Sequence, residues 1–285
     1  MAPLFQRMCI IGVGLIGGSL AMACKRYGVA GEVVGDDADR SMLERALQRG
    51  AIDRLSTDAE AAVEGADFVV LAVHVGALVE VARAIREALP TGAIVTDVGS
   101  VKGELVSALE EVFFPRSSFV GGHPLAGAET SGLEGAAGDL FAGSRCILTP
   151  TPRTDPKALD RVSAFWKAVG AEVVTLDPKE HDWAMAAVSH LPHVASYALA
   201  KAVSSVDTGR LFAGPGFRDF SRLASSPAAL WSDICLQNRE CLLDLISRYQ
   251  DALEEIRLLI AAGKKATLEG EFQKAKEVRE QLIRS

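Results

Sequence analysis

The apolar run Cys9-Ile10-Ile11 breaks into glycines at positions 12, 14 and 17 and resumes as a helical pattern through Leu20. This spacing asks for a strand, a tight turn and a helix in immediate succession. Gly12 permits the turn, Gly14 lets the backbone approach a pyrophosphate, and Gly17 lets the helix pack close to the strand. The amides of Leu15 and Ile16, at the helix N-terminus, then face the phosphate charge. Such a glycine motif is weak on its own. Here a second apolar run, Val33-Val34-Gly35, ends in Asp36-Asp37, and Asp37 lies 20 positions beyond Gly17, where a dinucleotide fold carries the acid for the adenosine ribose hydroxyls. Asp36 and Asp37 would repel a 2′-phosphate, so NAD is expected ahead of NADP, with Arg40 close enough to keep NADP open.

Around this motif the chain alternates short apolar runs with amphipathic ones as far as residue 176, the pattern of a doubly wound parallel sheet of Rossmann type. Strands are predicted at 8–11, 32–35, 68–73, 93–98, 118–121, 146–149 and 172–176, and helices at 17–27, 41–48, 78–88, 102–112 and 156–169. The carboxyl ends of the strands, where such folds bind ligands, carry Val73 and His74, Gly99-Ser100 and His123. Val73 is placed with the cofactor group. Beyond Asp177-Pro178 the pattern is helical, with apolar spacing of three and four at 179–203 and 227–262. The second stretch is too long for a small domain, so it either crosses a dimer interface or kinks midway. Glycines and proline mark 212–220 as a loop. The expected organisation is a dinucleotide-binding domain over 1–177 and a helical substrate and dimerisation domain over 178–285.

With 49% hydrophobic and 24% charged residues, 285 residues can bury two cores. A net charge of −7 gives no basic field for nucleic acid. Five scattered cysteines without a CxxC pair read as reduced thiols. There is no signal-peptide pattern and no apolar run of the roughly 20 residues that a bilayer requires. A cytoplasmic protein without membrane attachment is expected.

The histidines are few enough to weigh singly. His123, in Gly121-Gly122-His123-Pro124, follows a strand on a stiff turn, which suits a general base near neutral pH; the alternative is a histidine that only caps a loop. His190 and His193 are three apart, fit for substrate contact or packing, and no third ligand accompanies them for a metal. His181, beside Asp182 and Trp183, reads as a surface or helix-start residue. Arg222, among apolar neighbours, needs a carboxylate, either Asp219 or one on a substrate. Ser100 reads as a helix N-cap able to point into the cleft.

Five stretches together resemble the prephenate and arogenate dehydrogenases of tyrosine biosynthesis: Gly12 to Ser19, Asp97-Val98-Gly99-Ser100-Val101-Lys102, Gly122 to Gly127, Ser189-His190-Leu191-Pro192-His193, and Gly216 to Ala224. The first is generic to dinucleotide folds; the other four, in this order, are specific. The resemblance implies a catalytic base at His123, a serine at Ser100 bonded to it and to the substrate hydroxyl, and a carboxylate-binding arginine at Arg222. It also assigns Ser189, His193 and Trp231 to the substrate pocket and Glu129 to its mouth. The implied protein is an NAD-dependent homodimer acting on a small dianion, a cyclohexadienol that loses hydride and carbon dioxide. Two departures, His74 in place of a common proline and Pro215 within a usual glycine run, bear on substrate preference. The alternatives are a beta-hydroxyacid type dehydrogenase, which relies on a lysine of its helical domain, and a non-catalytic dinucleotide sensor.

Overall fold

The computed structural model describes residues 2–128, 130, 132–206 and 212–284. The chain opens with β1 (Phe5–Ile11), α1 (Leu15–Tyr27), β2 (Ala30–Asp36), α2 (Arg40–Gln48), β3 (Arg54–Ser56), α3 (Ala59–Val63) and β4 (Phe68–Leu71). It continues with α4 (Leu78–Ile85), β5 (Ile94–Asp97), α5 (Gly103–Phe113), β6 (Ser118–Pro124), β7 (Arg145–Thr149), α6 (Pro156–Ala168) and β8 (Glu172–Thr175). The eight strands form one sheet in the order β3-β2-β1-β4-β5-β6-β7-β8. The order reverses at β1, which pairs with both β2 and β4; open sheets of this kind bind ligands beyond the carboxyl ends of the strands at such a point.

Two short elements, β3 and α3, are missing from the sequence reading because three and five residues carry no usable period. One pairing also corrects it: β7 runs antiparallel to β6. A parallel return needs a crossover helix, whereas the described part of this connection holds only the short 3-10 turn Leu133–Gly135. One face of the sheet packs on aromatic rings, with Phe5 stacked on Phe68 at 4.1 Å and Phe165 and Trp166 against them. The other face buries Leu71, Val95, Leu105 and Leu109 together with Ile234 from the helical part.

The helical part comprises α7 (Pro178–Met185), a π-helical turn (Ala186–His190), α8 (Leu191–Ala202), α9 (Pro215–Ser221), a 3-10 turn (Arg222–Ser225), α10 (Ala228–Gln237), α11 (Arg239–Ala261) and α12 (Lys265–Arg284). The single helix predicted over 179–203 is therefore interrupted. The π turn comes just before Pro192, whose nitrogen has no hydrogen for the helical ladder. The long stretch at 227–262 kinks at Asn238, where φ is −105° and ψ 36°. The segment expected as a loop is helical from Pro215, because Gly214 stands at the N-cap and a proline at the first helical position loses only an amide that has no partner there. No helix among the described residues is long and apolar enough to cross a membrane. All five cysteines are free thiols.

Candidate active site

At the reversal point of the sheet, Gly12 has φ +95°, and a Cβ on it would lie 2.4 Å from the carbonyl oxygen of Ala72, so only glycine lets β1 turn this close to the end of β4. Val73 continues that opposing wall, and Gly17 likewise lies against the Gly12 carbonyl. Gly14 is different: a Cβ there would meet nothing within 4 Å, so its flank is open. It is also the N-cap of α1 and provides no side-chain cap, which leaves the first-turn amides of Leu15, Ile16 and Gly17 to an incoming acceptor. Asp37 sits across the loop, its carboxylate accepting from the amides of Val13 (2.8 Å) and Asp39 (2.9 Å). Asp36 beside it is buried, and burial, then Asp37 and Asp58, push its carboxyl up to about 6. An open backbone, uncapped amides and an acid at the end of β2 fit a dinucleotide.

The second half of the site begins at His123, 9% exposed near the end of β6. Its Nδ1 lies 2.8 Å from Nε2 of His181 on α7, and Nδ1 of His181 lies 2.8 Å from the carboxylate of Asp182. That carboxylate also accepts the amides of Lys102 (2.7 Å) and Gly103 (2.8 Å), where α5 starts. An ionised carboxylate can only accept, so Nδ1 of His181 donates and its Nε2 accepts. Nδ1 of His123 must then be the donor, which leaves Nε2 of His123 with a lone pair. Burial above all, then the charges of His181, Lys102 and His190, hold His123 well below the ordinary histidine range, so its neutral form dominates. The chain of bonds orients a neutral imidazole as a proton acceptor.

His181 therefore corrects the surface reading: it is fully buried, between Asp182 and His123. Ser100 is also corrected as a helix cap. The N-cap of α5 is Lys102, whose side chain does not cap the helix; Asp182, from another element, accepts the end amides instead. Ser100 is half-buried on the turn after β5 and has no hydrogen bond to His123. Asp97, just before that turn, accepts from the amides of Gly99 (2.9 Å) and Gly122 (3.0 Å) and from the ammonium of Lys102.

The helical wall comes from the π turn, α8 and α10. His193 donates from Nδ1 to the Ser189 carbonyl (2.9 Å), and its ring stacks on Trp231 with centroids 3.3 Å apart. Burial chiefly, with Arg222 adding its positive charge, lowers His193. Arg222 is exposed at the start of the 3-10 turn and forms no ion pair with Asp219. His190 is buried, and its pKa is lowered to about 4 by burial first. Asn238, at the kink, donates to the Asp182 carbonyl (2.7 Å) and to Nδ1 of His190 (3.1 Å). Glu129 lies outside the described residues. His74 is exposed, at the start of the 3-10 turn Val75–Ala77 that faces α10.

The structure thus gathers His123, His181, Asp182, Lys102 and Asp97 into one buried cluster, with Ser100 on the adjoining turn. It stacks His193 on Trp231 beside Ser189 and leaves Arg222 exposed near them. The sequence reading lacked Asp97, Lys102, His181, Asp182 and Asn238 as site members. The acidic and basic residues that flank Ser100 within Asp97 to Lys102 were the one available signal.

With this geometry in hand, comparison with known proteins is specific. Residues 20–175 match the family described as prephenate dehydrogenase, nucleotide-binding domain, and residues 177–274 match prephenate dehydrogenase, dimerization domain. The chain is 33% identical over 287 aligned positions to a prephenate dehydrogenase of Bacillus subtilis, covering 99% of this chain and 77% of the relative. It is 35% identical to a cyclohexadienyl dehydrogenase of Zymomonas mobilis, covering 90% and 89%. A crystal structure of prephenate dehydrogenase from A. aeolicus in complex with hydroxyphenyl propionate and NAD+ superposes with a TM-score of 0.90 at 37% identity, covering 97% of this chain and 98% of that one.

Proposed function

The chain belongs to the prephenate dehydrogenase family, and from that premise we propose that it oxidises and decarboxylates prephenate or arogenate with NAD, using His123 as the general base. The products are 4-hydroxyphenylpyruvate or tyrosine, with carbon dioxide and NADH. NAD, when bound, supplies the hydride acceptor. The cradle for it is formed by Gly12, Gly14, Leu15, Ile16, Gly17, Asp37 and Val73.

The observation that carries the mechanism is the bonded series Asp182, His181, His123. Nε2 of His123 takes the hydroxyl proton while hydride leaves the same ring carbon. The electron pair of the breaking bond to the ring carboxylate then closes the aromatic system as carbon dioxide departs. A positioned base contributes on the order of 100-fold to 10,000-fold. Ser100 holds the substrate hydroxyl from the neighbouring turn. Arg222, free of Asp219, receives a substrate carboxylate, and its charge offsets a dianion that a chain of net charge −7 would otherwise repel. The stacked His193 and Trp231, with Ser189, line the pocket, and Glu129 belongs at its mouth. The helical domain begins at residue 178 and pairs two copies into a homodimer, a reading supported by the dimerization-domain match. Five free thiols support residence in the cytoplasm.

The test follows NADH and NADPH absorbance with prephenate and with arogenate, for the wild-type chain and for His123→Asn. Turnover with NAD on at least one substrate is expected, with His123→Asn lowering kcat at least 100-fold and leaving NAD affinity unchanged. Equal turnover in the variant would remove His123 as base, and no turnover in any mixture would defeat the activity.

A further inference from the structure

Lys102 is fully buried, and the reaction as derived gives its side chain no task. A buried ammonium and carboxylate lose more hydration than their attraction easily returns, and apolar side chains of equal size commonly serve stability as well or better. The pair it makes with Asp97 therefore calls for another reason, and its surroundings supply one. The Asp97 carboxylate holds the amides of Gly99 and Gly122, the residues immediately before Ser100 and His123. Lys102 closes the same carboxylate, while its backbone amide binds Asp182, the outer end of the histidine relay. Its aliphatic stem lies over β6: a Cβ on Gly121 would be 3.3 Å from its Cδ, and one on Gly122 would be 2.8 Å from the Asp97 carbonyl oxygen. The His123 strand reaches this pair because two glycines leave the space.

We propose that Lys102 is a positioning residue for the reaction: its buried pair with Asp97 locks the Ser100 turn onto the His123 strand. The ammonium held in that pair also disfavours a proton on His123. The proposal rests on the reading of His123 as base. The groups that face His123 are His181 and, through it, Asp182 from α7; Lys102 before α5; Asp97 from β5; His190 from the π turn; and Cys146 from β7. The Cys146 thiol is pushed up by burial and stays uncharged. Among these, the Lys102 ammonium, paired with Asp97, acts on His123 in the same direction as burial.

The test is the pH dependence of kcat/KM for the wild-type chain and for Lys102→Met, Lys102→Arg and the pair Asp97→Asn/Lys102→Met. Protonation of His123 sets the acid limb. In Lys102→Met that limb is expected to rise by about one pH unit, and in the double variant by less; in Lys102→Arg it should stay in place. The double variant removes both charges at nearly constant volume and leaves no unpaired buried carboxylate, so it carries the test even where Lys102→Met fails to fold. A rate lowered equally at every pH in the double variant, with the limb unmoved, would overturn the proposal. Failure of the underlying reading looks different: His123→Asn would then retain turnover and its own acid limb.

Discussion

At the scale of single residues, the position of one proton organises the site. Because Asp182 takes two backbone amides as well as Nδ1 of His181, the relay has one consistent direction, and it ends in an open lone pair on His123. His181→Asn is expected to lower kcat by about 10-fold to 100-fold, less than His123→Asn, with KM little changed in steady-state assays. Arg222→Gln should instead raise KM for the dianion about 10-fold or more, since a charged hydrogen bond is worth about 1.5–3 kcal/mol; an unchanged KM would detach Arg222 from the substrate. Stability should also report the buried imidazoles. Burial lowers His190 to about 4 in the folded chain, against 6.5 for an ordinary histidine, so its contribution is complete above 6.5 and is lost as pH falls toward 4, at about 1.4 kcal/mol per pH unit. His123 and His181 act in the same sense, and Asp36, raised to about 6, acts in the opposite one. Urea midpoints should therefore fall between pH 6.5 and 5, and less steeply in His190→Gln. The positions of the glycine motif and Asp37 were legible because each follows a strand end that the apolar pattern marks; His123, expected on a turn after its strand, instead lies inside β6 and pairs with Ile147 of β7, an extension that the glycines before it hid. His181 was not legible, because its burial comes from α5 and β6, far away in sequence.

Elements were legible where their period ran long, and the exceptions have local causes. The stretch over 227–262, expected to cross an interface or to kink midway, kinks at Asn238, a poor helix former that readily enters turns. The break is set by its side chain, which bonds Asp182 and His190 on two other segments. The π turn before Pro192 is similar: proline announces a disturbance, and Ser189 and His190 fall within the turn. Antiparallel β7 was invisible, because an apolar run has the same pattern in either direction. Asn238→Ala should cost about 1–3 kcal/mol through two lost buried hydrogen bonds, measured as a lower urea midpoint. It should also lower kcat more than a surface change of equal cost, since the Asp182 backbone loses its tie.

Across the whole molecule, α11 and α12 expose Leu253, Leu258, Phe272 and Val278 along helices with few buried residues of their own. Faces of this kind mark association surfaces, in keeping with the proposed homodimer. Phe272→Glu together with Val278→Glu is expected to halve the mass seen in sedimentation. The sheet and the helical part meet elsewhere, at the Asp182 carboxylate seated on the first amides of α5. That seat gives the protein a fuse. Loosening between the two parts would withdraw the cap and the bonded histidines together, so under the proposed mechanism the base would lose its orientation before the core is exposed.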